Sequence, residues 1–132
     1  MIQRELRLGR WHVEFYFCPD GYDMDYLLDR MWDFGAPLYR LEQALDLMEH
    51  GGRNTGFTFN NPLERIALVV VGPTTSGKEF QNTLVHELRH LADAIALSLG
   101  VELHTETPAY ISGDSVMALA DIICKLGCER CN

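Results

Sequence analysis

The sequence is short of positive charge. Only two of its 132 residues are lysines, and 19 acidic residues outnumber the 11 lysines and arginines, which gives a formal net charge of -8. A nucleic-acid partner requires a basic surface that neutralises phosphates, so this composition argues against one. The chain also lacks an apolar run of about 18 residues, which is the length that a membrane-spanning helix needs. We therefore expect no membrane partner.

An export signal and a disulfide framework are also missing from the pattern. The first residues carry charges at Arg4, Glu5 and Arg7, where a secretory signal needs an unbroken apolar stretch. Without an export signal, the four cysteines are expected to be thiols or metal ligands. These features predict a cytoplasmic protein.

The length predicts one domain over residues 1–132, with a modest core. Residues 11–18 alternate between apolar and polar side chains, which predicts a half-buried strand. A short strand is expected over 55–60, and the apolar β-branched run 66–71 is typical of a central strand. Helical spacing predicts four helices, which cover 26–34, 37–50, 79–99 and about 105–127. The predicted fold is α+β, with an antiparallel or mixed sheet of about three strands.

The third of these helices carries the motif His86-Glu87-Leu88-Arg89-His90. Its two histidines are one turn apart, about 6 Å along the helix axis, so both imidazoles can reach one ion. This H-E-x-x-H pattern predicts a Zn²⁺ site with His86 and His90 as ligands and Glu87 as the general base. The reaction class that it implies is hydrolysis.

The two histidines are predicted to face away from the core. They lie about 160° around the helix from its apolar stripe. Asp93 and Ala96 occupy the positions where the extended metzincin motif has glycine and histidine, so that class is excluded. Asp93 itself is either an exposed acid or an outer partner of an imidazole.

The third zinc ligand must come from outside the motif. Glu102, His104 and Glu106 are the candidates on the stretch that connects the two last helices. Glu106 is preferred because a carboxylate is favoured at a helix N-terminus. Tyr110 follows four residues later on the same face, where its phenol would donate a hydrogen bond to an oxyanion. The other interpretation of Tyr110 is a half-buried residue on a helix face.

Residues 66–71, 86–90 and 106–110 together resemble zincin-type metallopeptidases, with the third ligand placed as in the gluzincin branch. More narrowly, residues 54–114 resemble short HExxH proteins encoded by phages and mobile elements of gut bacteria. The resemblance implies a zinc metallopeptidase that acts on a peptide or protein substrate.

By this resemblance, zinc ligands would be His86, His90 and Glu106, with Glu87 as the base. The strand before the motif helix would bind a peptide by edge addition. The alternative function, from another class, is a non-catalytic binding or assembly protein of a phage or mobile element that zinc stabilises.

Two further motifs compete with the zinc site. Residues 72–78 match the G-x-x-x-x-G-K part of a phosphate-binding loop, but Glu79 stands where a hydroxyl would bind magnesium. The favoured interpretation is a turn with Thr75 or Ser76 as the helix N-cap.

The cysteines near the C-terminus allow two interpretations. One is a second metal or cluster bound by Cys124, Cys128 and Cys131, with Cys18 as a fourth ligand, and the other is free thiols at a helix end.

Overall fold

A mixed four-stranded sheet carries helices on both faces, in a computed structural model that describes residues 1–128. The α+β prediction is confirmed, although the sheet has four strands where about three were expected. The elements in chain order are β1 (Ile2–Leu8), β2 (Trp11–Phe17), a short 3-10 turn (Gly21–Asp23), α1 (Met24–Asp33), α2 (Leu38–His50), β3 (Gly56–Asn61), β4 (Ile66–Val71), α3 (Gly77–Ser98), α4 (Glu106–Ala118) and α5 (Ala120–Gly127).

The strands lie in the order β1-β2-β4-β3. Hairpins make β1 antiparallel to β2 and β3 antiparallel to β4, and the two hairpins join through the parallel pair β2 and β4. The apolar run of β4 therefore lies inside the sheet, as its sequence predicts. β1 and β3 form the two edges.

Two apolar clusters cover the two faces of the sheet. Alternate residues of β2 point in opposite directions, so Phe15 packs towards α3 while Tyr16 packs towards α1 and α2. In α3, buried Leu84, Leu88 and Leu91 follow helical spacing and face the first cluster. This packing holds α3 across the sheet and directs its opposite side to solvent.

The sequence-based description of three elements needs correction. β1 was not predicted as a strand, although its pairing extends over Ile2–Leu8. β2 is buried on both faces and not half-buried, because α1 and α2 cover the face that carries Glu14 and Tyr16. The single helix predicted over about 105–127 is two helices, α4 and α5. They meet at Leu119, which is the C-cap of α4 and the N-cap of α5.

Candidate metal centre

His86 and His90 lie together on the exposed side of α3. Their Nε2 atoms are 3.2 Å apart, and the side chain of His86 is 68% exposed. Two nitrogen ligands about 2.05 Å from one tetrahedral ion lie about 3.3 Å apart. The spacing of the pair therefore fits two ligands of one zinc ion, and the predicted orientation away from the core is confirmed.

Glu87 differs from the histidines because its side chain is buried between α3 and β3. It is 3% exposed, and its Oε2 accepts a 2.6 Å hydrogen bond from the hydroxyl of Thr58. Its other oxygen, Oε1, lies 4.0 Å from Nε2 of His86. The carboxylate is thus fixed on one side by a strand residue while its second oxygen faces the imidazole pair.

The close approach of β3 to α3 depends on Gly56. A Cβ atom at this position would lie 2.5 Å from the carbonyl oxygen of Val70, 3.1 Å from Cγ of Glu87 and 3.3 Å from Cγ2 of Thr83. The contact with the Val70 carbonyl is closer than packed atoms tolerate, whereas Glu87 and Thr83 would have to shift by a few tenths of an ångström. The absence of a side chain at Gly56 therefore permits the pairing with β4 and eases the approach to the Glu87 side chain.

A cleft of about 410 Å³ opens where α3 meets the edge of the sheet. Its lining combines the motif residues with residues of β3 and one arginine of α2: Arg40, Gly56, Phe57, Thr58, Asn60, His86, Glu87 and His90. Sequence reasoning missed Thr58, Asn60 and Arg40 as site residues. They are separated from the motif by 26 residues or more, and no local pattern connects them to it.

The strand that borders this cleft is β3 and not the strand that directly precedes α3. β4 pairs with β2 on one side and with β3 on the other, so it has no free edge. The expectation that β4 binds a peptide by edge addition is therefore wrong. The free backbone edge beside the motif belongs to β3.

The structure does not bring a third ligand to the histidine pair. Among residues 1–128, no further His, Cys, Asp or Glu ligand atom lies within 4.8 Å of both imidazoles. Glu106 begins α4, which packs along α3 and reaches β1, at the sheet edge opposite to β3. Glu102 and His104 contact each other at 3.3 Å on the exposed connection. The set His86, His90 and Glu106 is thus not assembled.

Asp93 and Tyr110 also lie apart from the cleft. Both carboxylate oxygens of Asp93 accept hydrogen bonds from Nε of Arg89, at 2.8 and 2.9 Å, in an ion pair on the surface of α3. Tyr110 is 68% exposed on α4 and does not line the cleft. Their assignments as imidazole partner and oxyanion donor gain no support from these positions.

A second group of metal-type ligands lies on the other half of the sheet. Ligand atoms of Glu5, His12 and Glu14 all fall within 4.8 Å of one another, so this group could hold a metal ion. Glu5 and Glu14 are direct partners across β1 and β2. No local pattern in the sequence indicates this group.

Glu14 is nevertheless already neutralised by protein groups. Nε of Arg30 donates to one carboxylate oxygen at 3.1 Å and Nη2 donates to the other, while Tyr16 and His12 bond the same two oxygens. Burial acts to raise the pKa of Glu14, but the hydrogen bonds from Arg30, Tyr16 and His12 outweigh it and lower the pKa. Burial and the bond to Glu14 raise the pKa of Tyr16. The network is a buried ion pair that fastens α1 to the sheet.

The loop over residues 72–78 is built as a helix start. Ser76 is the N-cap of α3, and its hydroxyl accepts from the backbone of Glu79 at 3.1 Å, as one of the two predicted caps. The backbone N–H of Thr75 is bonded to the side chain of Asn54 at 2.9 Å. That donor is therefore not directed at a phosphate.

The cysteine cluster has no support in the described part of the chain. Cys18, Cys124 and Cys128 do not form a group that could hold a metal ion. Cys131, the last member of the predicted cluster, lies outside the described residues.

Over residues 1–128, no helix combines the length and the apolar character needed to cross a membrane.

Comparison with known proteins found no family model that matches the chain, and neither a curated protein nor a solved structure matched it significantly.

Proposed function

We propose that this protein is a zinc-dependent hydrolase of peptide bonds, with its site in the cleft between α3 and β3. The observation that carries the proposal is the arrangement of the H-E-x-x-H residues. The two Nε2 atoms of His86 and His90 converge to 3.2 Å, and the Glu87 carboxylate lies beside them in the same cleft.

In this proposal, His86 and His90 hold the zinc ion. Zinc supplies a Lewis acid that polarises a substrate carbonyl and makes water a stronger acid. Glu106 is left out of the ligand set, because α4 carries it away from the β3 side of the sheet. The two histidines would thus be fewer than the three protein ligands that a catalytic zinc site usually has.

Glu87 acts as the general base. Its Oε2 is held by the hydroxyl of Thr58, while Oε1 faces the imidazole pair and accepts the proton of the attacking water. The same residue then returns that proton to the leaving amine. The edge of β3 binds the substrate chain in an extended form through backbone groups other than the Thr58 carbonyl, which already accepts from Arg40.

The test compares zinc-loaded native protein with the variants Glu87→Gln and Glu79→Gln on a library of internally quenched fluorescent peptides. Glu79 is a matched control, since it lies on the same helix but outside the cleft. We expect Glu87→Gln to retain zinc and to lose hydrolysis by about 100-fold or more, which is the usual contribution of a general base. Glu79→Gln should remain active.

One result would reject the role of Glu87, and another would reject the hydrolase itself. Hydrolysis that survives in zinc-bound Glu87→Gln would remove Glu87 as the base. Zinc binding without cleavage of any library member by the native protein would favour the second candidate, a zinc-stabilised binding protein of a phage or mobile element. The separated position of Glu106 favours this candidate, because a site with few protein ligands is less typical of a zincin enzyme.

A further inference from the structure

We propose that Arg40 binds a carboxylate group of the substrate and so restricts the site to acidic substrates. This inference rests on the proposed function, since it assigns the substrate class of the same cleft. The group recognised is either the free carboxylate at a peptide C-terminus or the side chain of an acidic residue beside the bond that is cleaved.

Arg40 is a cation without a carboxylate partner in the described part of the chain. Its Nη2 donates to the backbone carbonyl of Thr58 at 2.9 Å, and its Nη1 donates to the side-chain oxygen of Gln43 at 3.0 Å. A guanidinium has five N–H donors, and these two bonds to neutral oxygens leave three of them unused. Carboxylate partners are found for Arg4, Arg30 and Arg89, and what sets Arg40 apart from the other arginines without one is its place in the lining of the cleft.

The position of Arg40 is fixed by its surroundings. It is half-buried, and its bond to Thr58 holds the guanidinium against the edge of β3 at the border of the cleft. Thr58 itself bonds Glu87, so a single residue joins the guanidinium to the proposed base. A group held in this way is placed to bind a planar carboxylate in the fork geometry that arginine favours.

Asn60 supplies an independent sign that a ligand completes this part of the cleft. Its Oδ1 is buried and accepts no hydrogen bond within residues 1–128. A buried acceptor without a donor costs free energy, so such an atom requires an explanation. Because this atom is closed to solvent, a peptide N–H in the cleft would bond to it only after the Asn60 side chain turns outwards, while the carboxylate of the same ligand would bond to Arg40.

A second hollow of about 490 Å³ begins at these two residues, since Arg40 and Asn60 also line it. Its other lining includes Pro37, Phe59 and Leu63, which are apolar. An apolar side chain next to the carboxylate would fill this hollow. The expected ligand therefore pairs an acidic group with a neighbouring apolar residue.

The test uses three probes that each carry a metal-binding hydroxamate. The first is the hydroxamate of malonyl-leucine with a free α-carboxylate, and the second is the same compound as the α-amide. The third is the hydroxamate of malonyl-aspartate as the α-amide. Dissociation constants are measured by calorimetry on zinc-loaded native protein and on the variants Arg40→Gln, Arg40→Lys and Arg53→Gln, with the zinc content determined in parallel. Arg53 is the matched control, because it also donates to a neutral carbonyl but lies outside the cleft.

On native protein and on Arg53→Gln, at least one of the carboxylate probes should bind about tenfold or more tightly than the leucine amide, as expected for a charge-assisted contact. In Arg40→Gln this advantage should fall to about twofold or less, while the affinity of the amide changes little. Arg40→Lys should retain an intermediate advantage, because it keeps the charge and loses the fork. Tighter binding of the first probe than of the leucine amide would indicate a C-terminal carboxylate, and tighter binding of the third probe would indicate an acidic side chain.

If the carboxylate probes bind more tightly than the leucine amide by the same factor in native protein and in Arg40→Gln, at normal zinc content, the role of Arg40 is overturned. The proposed metal site is not affected by that result. The absence of any carboxylate advantage in zinc-loaded native protein would also overturn the role of Arg40. If the protein contains no zinc and binds none of the probes, the metal site itself is rejected, and the role of Arg40 is rejected with it.

Discussion

The hydroxyl of Thr58 donates a 2.6 Å hydrogen bond to the carboxylate of Glu87 and thereby joins the edge strand β3 to the motif helix α3. The two residues are 29 positions apart in sequence, and both are buried. This bond fixes the proposed base in the wall of the cleft. The lack of a side chain at Gly56 leaves room for the Glu87 side chain beside it.

Thr58→Val should destabilise the protein, because it leaves one oxygen of the buried Glu87 carboxylate without a donor. We expect the free energy of unfolding to fall by about 1–3 kcal/mol in a urea titration of metal-free protein. A double-mutant cycle with Glu87→Leu, which removes the acceptor, should give a coupling of about 1 kcal/mol. Thr74→Val, at a half-buried loop position, serves as the control. A coupling near zero would show that the bond does not contribute to stability.

Gly56→Ala should strain the pairing of β3 with β4 and crowd the Glu87 side chain of α3. The added methyl group would lie 2.5 Å from the carbonyl oxygen of Val70 and 3.1 Å from Cγ of Glu87, so we expect a loss of about 1–3 kcal/mol in unfolding free energy. The control is Gly113→Ala, because Gly113 lies inside α4 and a methyl group there contacts nothing within 4 Å. That change should stabilise the protein by about 0.5–1 kcal/mol. Equal stability of the two variants would contradict the close contact at Gly56.

Glu14→Gln should weaken the network that holds α1 to the sheet, since it leaves the guanidinium of Arg30 with only the exposed carboxylate of Asp33 at 3.5 Å. At pH 7 we expect a loss of about 2 kcal/mol in unfolding free energy, within the range for charged hydrogen bonds. Asp121→Asn, which breaks the exposed pair with Arg4, should have little effect and serves as the control. Unchanged stability of Glu14→Gln would contradict the role of the network.

The same network predicts a dependence of stability on pH. The pKa of Glu14 is lowered in the folded protein, so its contribution is present above the unfolded value, 4.5, and is lost as the pH falls through the folded pKa. Native protein should therefore lose more stability than Glu14→Gln as the pH falls from about 5 to about 3. Parallel curves of unfolding free energy against pH would contradict the lowered pKa.

The parts of the fold and site that sequence analysis predicted correctly are those set by local spacing. Helical periodicity placed His86 and His90 on the exposed side of α3, and the apolar run predicted β4 as an interior strand. β1 was missed because Arg4 interrupts the apolar alternation of Ile2, Leu6 and Leu8, so that its pattern is weak without its partner β2.

The rest of the site depends on contacts between distant residues, which no local pattern reveals. Arg40 reaches Thr58 across 18 positions, and Thr58 reaches Glu87 across 29. Burial of the Glu14 carboxylate also runs against ordinary patterning, because it requires the guanidinium of Arg30 from another element. The choice of Glu106 as the third ligand rested on its place at a helix N-terminus, and that local argument carries no information on the direction of α4, which packs towards β1.

The most direct test of the proposed metal centre is the zinc content of purified protein, measured by elemental analysis after equilibration with zinc and removal of the excess. We expect about one zinc per chain for native protein, and loss of that zinc in His86→Ala and in His90→Ala. Glu106→Ala should retain it, as should Glu5→Gln, which removes a ligand of the second group on the sheet. Full zinc content in His86→Ala and His90→Ala, or no zinc in the native protein, would contradict a metal site at the histidine pair.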